Sequence, residues 1–204
     1  MDGRPVVFVV SGPSGAGKGT ALEWMTGPGG ISRVPTYTTR PPRPGERDGT
    51  DYHFVSEQEF FSLYRRGAIF EYTRTYSESY YGSPRALLQD GGELQLAAEL
   101  DPTGFARVRA VSARRVVGIF ITTTRPADLR GRLAARGQGE DTARRLQVRT
   151  EQQRWALVYD YLLVNDDREQ FLADLATVVG SELIRLRGAR HLVSIRHDSD
   201  PTLS

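Results

Sequence analysis

Apolar residues occur in short blocks along the chain, and mixed amphipathic stretches separate these blocks. Val6–Val10, Val116–Ile121 and Tyr161–Val164 predict buried strands, and Leu94–Leu100 predicts another in spite of two polar positions. Helices are predicted at residues 18–25, 126–136, 141–158 and 168–186. Strands that alternate with helices predict an α/β fold, in which helices cover both faces of a parallel sheet.

Residues 34–83 have a different texture, with Tyr, Thr and Phe alternating among Pro, Gly and charged residues. Short strands are predicted at residues 36–39, 51–55 and 69–72. Ser56 and Glu59 form a capping box, which predicts a short helix through Arg66 that Gly67 ends. We therefore expect a single domain over residues 1–204. Its core is residues 5–33 and 84–186, residues 34–83 form an inserted small mixed-β lobe, and residues 188–204 form a partly ordered polar tail.

A glycine-rich loop follows the first predicted strand directly. It consists of Gly12, Pro13, Ser14, Gly15, Ala16, Gly17, Lys18, Gly19 and Thr20. A strand that runs into such a turn, with a lysine at its far end, presents backbone N–H groups to the phosphates of a nucleoside triphosphate. The usual pattern places a hydroxyl for Mg²⁺ directly after the lysine, but Gly19 stands there. Either Thr20 takes over part of that work, or water and phosphate oxygens mainly hold the metal.

Composition excludes several classes of function. The 204 residues include no cysteine, which excludes disulfides, thiolate catalysis and cysteine-based metal sites. No apolar stretch approaches the ~20 residues of a membrane span, and the N-terminus does not resemble a signal peptide. The net charge is only +2, and Lys18 is the sole lysine among the basic residues. We expect a cytoplasmic protein that acts on small molecules and binds neither nucleic acid nor membranes.

A second group of candidate residues lies in and after the β-rich segment. Arg40 and Arg43 are three residues apart in a proline-rich turn, and two guanidinium groups held in this way suit a dianionic monophosphate. Tyr52 and Tyr81 could each donate a hydroxyl to the same phosphate. Glu71 is a carboxylate in an apolar-aromatic strand, where it could accept from both N1–H and the N2 amino group of guanine. Adenine offers no such pair of donors, so the same site would reject it.

The phosphate loop, the run Thr38–Glu46, the segment Tyr80–Ser83 and the turn Val164–Asp167 occur in the order found in guanylate kinases. From about residue 5 to residue 186 the chain resembles that family. The resemblance implies a P-loop kinase fold and transfer of a phosphoryl group from ATP to GMP, and to dGMP, with Mg²⁺.

The resemblance also assigns further residues to the two nucleotides. It places Thr36 near the guanine O6, gives Ser83 a base or phosphate contact, and puts Asn165 beside the adenine of ATP. Glu99 falls where the family often contacts the guanine side. Asp101 keeps a carboxylate that could hold Mg²⁺ through water or contact the acceptor.

Three arginines are predicted to neutralise the transferring phosphoryl group. Arg132 and Arg136 are spaced i, i+4 and share a face of the helix after Pro126. By resemblance they are lid and catalytic arginines, together with Arg145 or its neighbour Arg144. The glycine-rich residues 137–144 between them suit a closing lid.

Two alternatives stay open on the sequence alone. Gly19, Glu99 and an altered segment before Tyr81 would also suit a kinase of the same fold for a modified or specialised nucleoside monophosphate. Domains similar to guanylate kinases also serve as non-catalytic binding modules that have lost ATP binding. The complete loop from Gly12 to Lys18 argues against that second alternative.

Overall fold

The computed structural model describes residues 4–74, 78–89, 94–124 and 156–198, the last twelve as backbone only. The elements in chain order are β1 (Val6–Ser11), α1 (Lys18–Thr26), β2 (Ser32–Arg33), β3 (Thr36–Thr38), β4 (Tyr52–Phe54), α2 (Glu57–Arg65), β5 (Ile69–Arg74), β6 (Tyr80–Pro84), β7 (Leu96–Glu99), α3 (Pro102–Val111), β8 (Arg115–Thr122), β9 (Tyr161–Val164) and α4 (Arg168–Asp198). Short 3₁₀ helices lie at Arg85–Leu87 and Ala156–Val158.

The main sheet has five strands in the order β2-β7-β1-β8-β9, and every neighbouring pair is parallel. The predicted parallel α/β sheet is therefore confirmed. After β1 the chain crosses to one edge of the sheet, and after β7 it returns past β1 to the other side. Ligand sites form where such a change of direction occurs, at the carboxyl ends of the strands. The loop after β1 lies at this point.

Strand β1 is buried on both faces, because its side chains alternate between two cores. Val6, Phe8 and Val10 belong to one apolar cluster with residues of α1 and α4. Val7 and Val9 belong to a second cluster with residues of α3 and β8. The alternation follows from the pleat of the strand, which points successive side chains to opposite faces. The continuous apolar run in the sequence is thus the mark of a central strand covered on both sides.

The smaller sheet has four strands in the order β4-β3-β6-β5. Strands β3 and β4 are parallel, whereas β6 is antiparallel to both β3 and β5, so the predicted mixed-β lobe is confirmed. Helix α2 covers it with Phe60, whose ring contacts the rings of Tyr72 and Tyr80. Ser56 caps this helix by accepting a hydrogen bond from the backbone N–H of Glu59, as predicted.

The structure departs from the sequence expectations at three helices. Helix α3 was not predicted, although Asp101 caps it through a 2.7 Å bond from the Gly104 N–H and Pro102 opens it. The predicted end of the last helix at residue 186 is wrong, since α4 continues to Asp198 and includes part of the predicted tail. Of the predicted helix over residues 141–158, only residues 156–158 are described, and they form a 3₁₀ helix; the other residues, and the predicted helix over 126–136, lie outside the described residues. Among the helices that the structure describes, none is long and apolar enough to cross a bilayer.

The contact between β8 and α3 can be tested at Gly118. A Cβ there would lie 2.4 Å from Cζ of Phe105 and 2.8 Å from Cδ1 of Tyr159, two fully packed rings. We expect Gly118→Ala to destabilise the fold by about 1–3 kcal/mol through overpacking, as measured by urea denaturation. Gly180→Ala on α4 is the matched control, because its added Cβ meets nothing within 4 Å. This control should gain up to about 1 kcal/mol, and equal effects of the two substitutions would contradict the packing.

Candidate functional site

A cavity of about 350 Å³ lies where the carboxyl ends of β1 and β7 meet the small sheet. Many predicted site residues line it, namely Gly12, Ser14, Gly15, Gly17, Lys18, Gly19, Thr36, Arg43, Tyr52, Glu71, Tyr81, Ser83, Glu99 and Asp101. Pro13, Ala16, Thr20, Arg40 and Asn165 are not among its lining residues. Arg132, Arg136, Arg144, Arg145 and the predicted lid over 137–144 lie outside the described residues.

The phosphate loop is held between two neighbouring strands of the main sheet. Gly12 has φ +144°, and a Cβ there would lie 2.1 Å from the carbonyl oxygen of Ile121 on β8. Gly17 has φ +107°, and a Cβ there would lie 2.0 Å from Nδ2 of Asn165, just after β9. The same Asn165 Nδ2 donates a 2.8 Å hydrogen bond to the carbonyl of Ala16. Asn165 is therefore a buried support of the loop in this arrangement, and its predicted place beside adenine stays a prediction.

Lys18 lies at the junction of the loop and β7. Its Nζ donates to the carbonyls of Gly12 at 2.8 Å and Pro13 at 3.0 Å, and it lies 3.5 Å from Oε1 of Glu99. Gly19 follows in the cavity wall, and a Cβ there would meet nothing within 4 Å. The first turn of α1 thus has space for a side chain at residue 19, but this chain places no hydroxyl there.

The two predicted phosphate-binding arginines occupy different places. Arg43 lines the cavity, whereas the guanidinium of Arg40 is buried in the wall behind it. Arg40 donates from Nη1 and Nη2 to the two carboxylate oxygens of Glu46 at 2.6 and 2.7 Å, and from Nε to the Tyr81 hydroxyl at 2.9 Å. Its Cζ also lies 4.9 Å from the centre of the Tyr52 ring. The structure therefore does not bring the two guanidinium groups side by side at the cavity surface.

These contacts favour the ionised form of Glu46. Burial alone would raise the pKa of its carboxyl, but hydrogen bonds from the Arg40 side chain and the Arg43 backbone N–H outweigh burial and hold this pKa below its ordinary value. The proline-rich turn is consequently closed by a bidentate, charge-assisted pair that spans six residues.

Glu71 also lines the cavity and is only 6% exposed. Its Oε1 accepts from the Ser83 hydroxyl on β6, and its Oε2 accepts from Nη1 of Arg107 on α3 at 3.0 Å. Burial raises the pKa of Glu71 and the charge of Asp101 adds to this rise, while the bonds from Ser83 and Arg107 oppose it. A buried carboxylate with strong donors on both oxygens is thus held in one orientation.

Several residues that sequence reasoning did not assign to a site also line the cavity, namely Arg33, Glu46, Asp51, Thr73, Gly82, Leu100 and Pro102. Arg33 donates to Asp51 through a 3.1 Å ion pair and so joins β2 to the turn before β4. Thr73 donates to Oδ2 of Asp101 at 2.6 Å. Glu46 could have been found from its place three residues after Arg43, whereas Arg33 and Thr73 carry no recognisable signal.

The pair between Arg40 and Glu46 predicts a pH-dependent loss of stability. Removing the carboxylate charge in Glu46→Gln leaves a buried guanidinium poorly compensated, and we expect a loss of about 2–3 kcal/mol at pH 7. The folded-state pKa of Glu46 lies below its ordinary value of 4.5, so its contribution is complete above pH 4.5. It is lost as the pH falls through the folded pKa, and the difference between Glu46→Gln and the wild type should shrink with it.

Urea denaturation from pH 7 down to the most acidic pH with cooperative unfolding measures this dependence. Glu59→Gln is the matched control, because Glu59 pairs with Arg66 on the exposed surface of α2. This control should change stability by no more than about 0.5 kcal/mol. A Glu46→Gln deficit that stays constant with pH would show that ionisation of Glu46 is not its cause.

Comparisons with known proteins agree with this architecture. The family model for guanylate kinase matches residues 3–182. A guanylate kinase from Shewanella denitrificans is 33% identical over 198 residues, covering 94% of each chain, and one from Alkalilimnicola ehrlichii is 36% identical, covering 92% of this chain and 94% of its own. The crystal structure of a guanylate kinase from Anaplasma phagocytophilum superposes with a TM-score of 0.71 at 28% identity, covering 89% of this chain and 88% of its own. The match of nearly the whole chain shows that this protein belongs to the guanylate kinase family.

Proposed function

We propose that this protein transfers the γ-phosphoryl group of ATP to GMP, and to dGMP, to give GDP and dGDP. One observation carries the proposal: a single cavity is lined both by a phosphate loop with Lys18 and by the buried carboxylate of Glu71. A phosphoryl transfer enzyme must hold two nucleotides with their phosphates adjacent, and this cavity offers groups that suit phosphates and a group that suits a base. Relatives that are 33–36% identical over nearly the full length are guanylate kinases, which supports the proposal.

The donor end is assigned to ATP. Backbone N–H groups of the loop from Gly12 to Thr20 surround the phosphates, and Lys18 exchanges its carbonyl partners for phosphate oxygens. Asn165 supports this loop through Ala16, so its effect on ATP is through the shape of the loop.

Magnesium fits this site best as an ion held by phosphate oxygens and water. Residue 19 has no hydroxyl, Thr20 does not line the cavity, and the described residues contain no cluster of three potential metal-ligating side chains. Glu99 and Asp101 line the cavity, and their carboxylates can hold the water shell of Mg²⁺. When bound, the ion neutralises charge on the phosphates of ATP.

The acceptor phosphate is assigned to Arg43, Tyr52 and Tyr81. The Tyr81 hydroxyl accepts a hydrogen bond from Arg40, so its own O–H can donate a hydrogen bond to a phosphate oxygen. Burial, together with the charge of Glu99, raises the pKa of Tyr52, so its hydroxyl stays a donor at neutral pH. Arg40 contributes by fixing Tyr81 and the turn that carries Arg43.

Guanine is assigned to Glu71, with Thr36 and Ser83 beside it. A carboxylate has about four acceptor positions, and Ser83 and Arg107 use two of these on Glu71. The other two can accept from N1–H and the N2 amino group of guanine. Adenine presents an acceptor at N1 instead, so it would leave these two acceptor positions of the buried carboxylate without a donor and place a lone pair beside them.

The transfer itself needs positive charge and exclusion of water more than acid–base chemistry. The acceptor phosphate is already an anionic nucleophile, so no general base is required. We assign charge neutralisation to Arg132, Arg136 and either Arg145 or Arg144, and closure over the phosphates to residues 137–144. These assignments rest on the sequence.

An acceptor panel tests the base assignment. With ATP and Mg²⁺, GMP and dGMP should exceed AMP, UMP and CMP in kcat/KM by about 10⁴-fold, since the other bases do not offer Glu71 the pair of donors that guanine does. Glu71→Gln should lower kcat/KM for GMP by about 100-fold and narrow the preference over AMP, because a charge-assisted acceptor is lost. Glu57→Gln on the exposed start of α2 is the control. Comparable turnover of AMP and GMP, or turnover of another monophosphate without GMP, would contradict the proposal.

The single lysine allows a direct test of the donor end. Because Lys18 is the sole lysine, an amine-acylating reagent can modify only it and the N-terminus. ATP should protect Lys18 against acylation, as measured by peptide mass spectrometry, while GMP alone should not. Lys18→Ala should lower kcat by about 10²–10³-fold through loss of charge at the phosphates, with GMP affinity retained. If ATP does not slow the acylation of Lys18, Lys18 does not contact ATP, and the alternative of a non-catalytic binding module is favoured.

A further inference from the structure

Arg107 is the one cation that α3 places on the proposed guanine-reading carboxylate. Its Nη1 donates to Oε2 of Glu71 at 3.0 Å and to the backbone carbonyl of Tyr72 at 3.2 Å. The second bond fixes the guanidinium to the backbone of β5, next to the residue that carries the carboxylate. Arg107 itself is half-exposed, whereas Glu71 is buried. The ion pair therefore joins the buried carboxylate of Glu71 to the solvent-exposed guanidinium of Arg107, which does not line the cavity.

The chemistry of Glu71 needs such a partner. A protonated carboxyl has one hydroxyl and a single full acceptor oxygen, so it could not accept from both guanine donors. Burial and the negative charge of Asp101 both favour that protonated form. From β6 only a neutral hydroxyl, that of Ser83, contacts the carboxylate. Of the groups that influence Glu71 in the part of the chain that the structure describes, Arg107 alone brings an opposite charge.

We infer that Arg107 is a specificity-determining positioning residue, which keeps the Glu71 carboxylate charged and in one orientation so that both guanine donors find an acceptor. The inference rests on the proposed role of Glu71 in reading guanine. Arg107 acts through Glu71 and contacts no substrate. Its effect is therefore on capture of GMP and on the pH dependence of that capture.

A purely structural role has to be separated from this one, because Arg107 also joins β5 of the lobe to α3 of the core. Arg109 offers a matched control two residues further along α3. It pairs with Asp160 at 2.9 Å through an equally exposed guanidinium, and neither residue lines the cavity. Arg107→Met and Arg109→Met each remove one arginine and one ion pair from the same helix, but only the first changes the surroundings of Glu71.

The experiment measures kcat and KM for GMP and for ATP across pH. In Arg107→Met we expect KM for GMP to rise about tenfold, KM for ATP to stay unchanged, and the acid limb of kcat/KM for GMP to move to higher pH. The limb moves upward because loss of the cation raises the pKa of Glu71, and only the ionised form accepts both donors. Titration of the GMP phosphate is common to all variants and cancels. Arg107→Lys keeps the charge and should return the limb toward the wild type.

The other outcomes decide against the inference. If the acid limb of kcat/KM for GMP does not move in Arg107→Met, or moves equally in Arg109→Met, Arg107 has only a structural role. A lower KM for GMP in Arg107→Met would show that the guanidinium competes with guanine for Glu71. In a Glu71→Gln background, Arg107→Met should add nothing, and a further tenfold loss would show action independent of Glu71. If Glu71→Gln alone keeps the preference for GMP, the base assignment itself fails, and this inference falls with it.

Discussion

The site depends on how tightly the phosphate loop is fitted against the strands beside it. At Gly12 the backbone of β8 leaves no space for a Cβ, and at Gly17 the amide of Asn165 leaves none. Both positions also have φ values that side chains rarely adopt. The curvature of the loop is therefore set by three adjacent parallel strands, β1, β8 and β9, and not by the loop alone. A loop held in this way presents its N–H groups without a further ordering cost when an anion binds.

The charged side chains around the cavity are paired in two different ways. Arg40 is held by both oxygens of Glu46, by Tyr81 and by two aromatic rings. Loss of these partners would leave its buried charge uncompensated. Lys18 is held by two carbonyls and by Glu99 at 3.5 Å, contacts that a phosphate oxygen can replace. This contrast separates residues that shape the site from those free to act on a ligand. The sequence does not show this difference in pairing: Arg40 and Arg43 are three residues apart, and their spacing suggested equal roles.

The parts of the fold that could be predicted are those whose local pattern agrees with their place in the molecule. Strands β1 and β8 are apolar runs that are buried in the main sheet. The apolar run of β9 also forms a strand, but its predicted burial is wrong, because β9 lies at the sheet edge and only Leu163 is buried. Strand β6 has no such pattern; it forms because β3 and β5 pair with it on either side, while Gly82 gives space to Phe60 and Ile69. Helix α3 did carry a signal, the Asp101–Pro102 start. Arg107 could not be predicted as part of the site, because its partner Glu71 lies 36 residues away in sequence.

Two residues of the cavity lining, Lys18 and Glu71, are connected by contacts that run through β7 and α3. Glu99 ends β7 beside Lys18, and two residues later Asp101 caps α3 and accepts from Thr73 of β5. Six residues after Asp101, on the same helix α3, Arg107 bonds to Glu71 on the same strand β5. The strand that carries Glu71 is thus fixed to the helix that Asp101 caps, two residues after Glu99, the neighbour of Lys18. Glu71 and Lys18 are therefore held relative to each other by one connected set of contacts, which runs through Glu99, Asp101, Thr73 and Arg107.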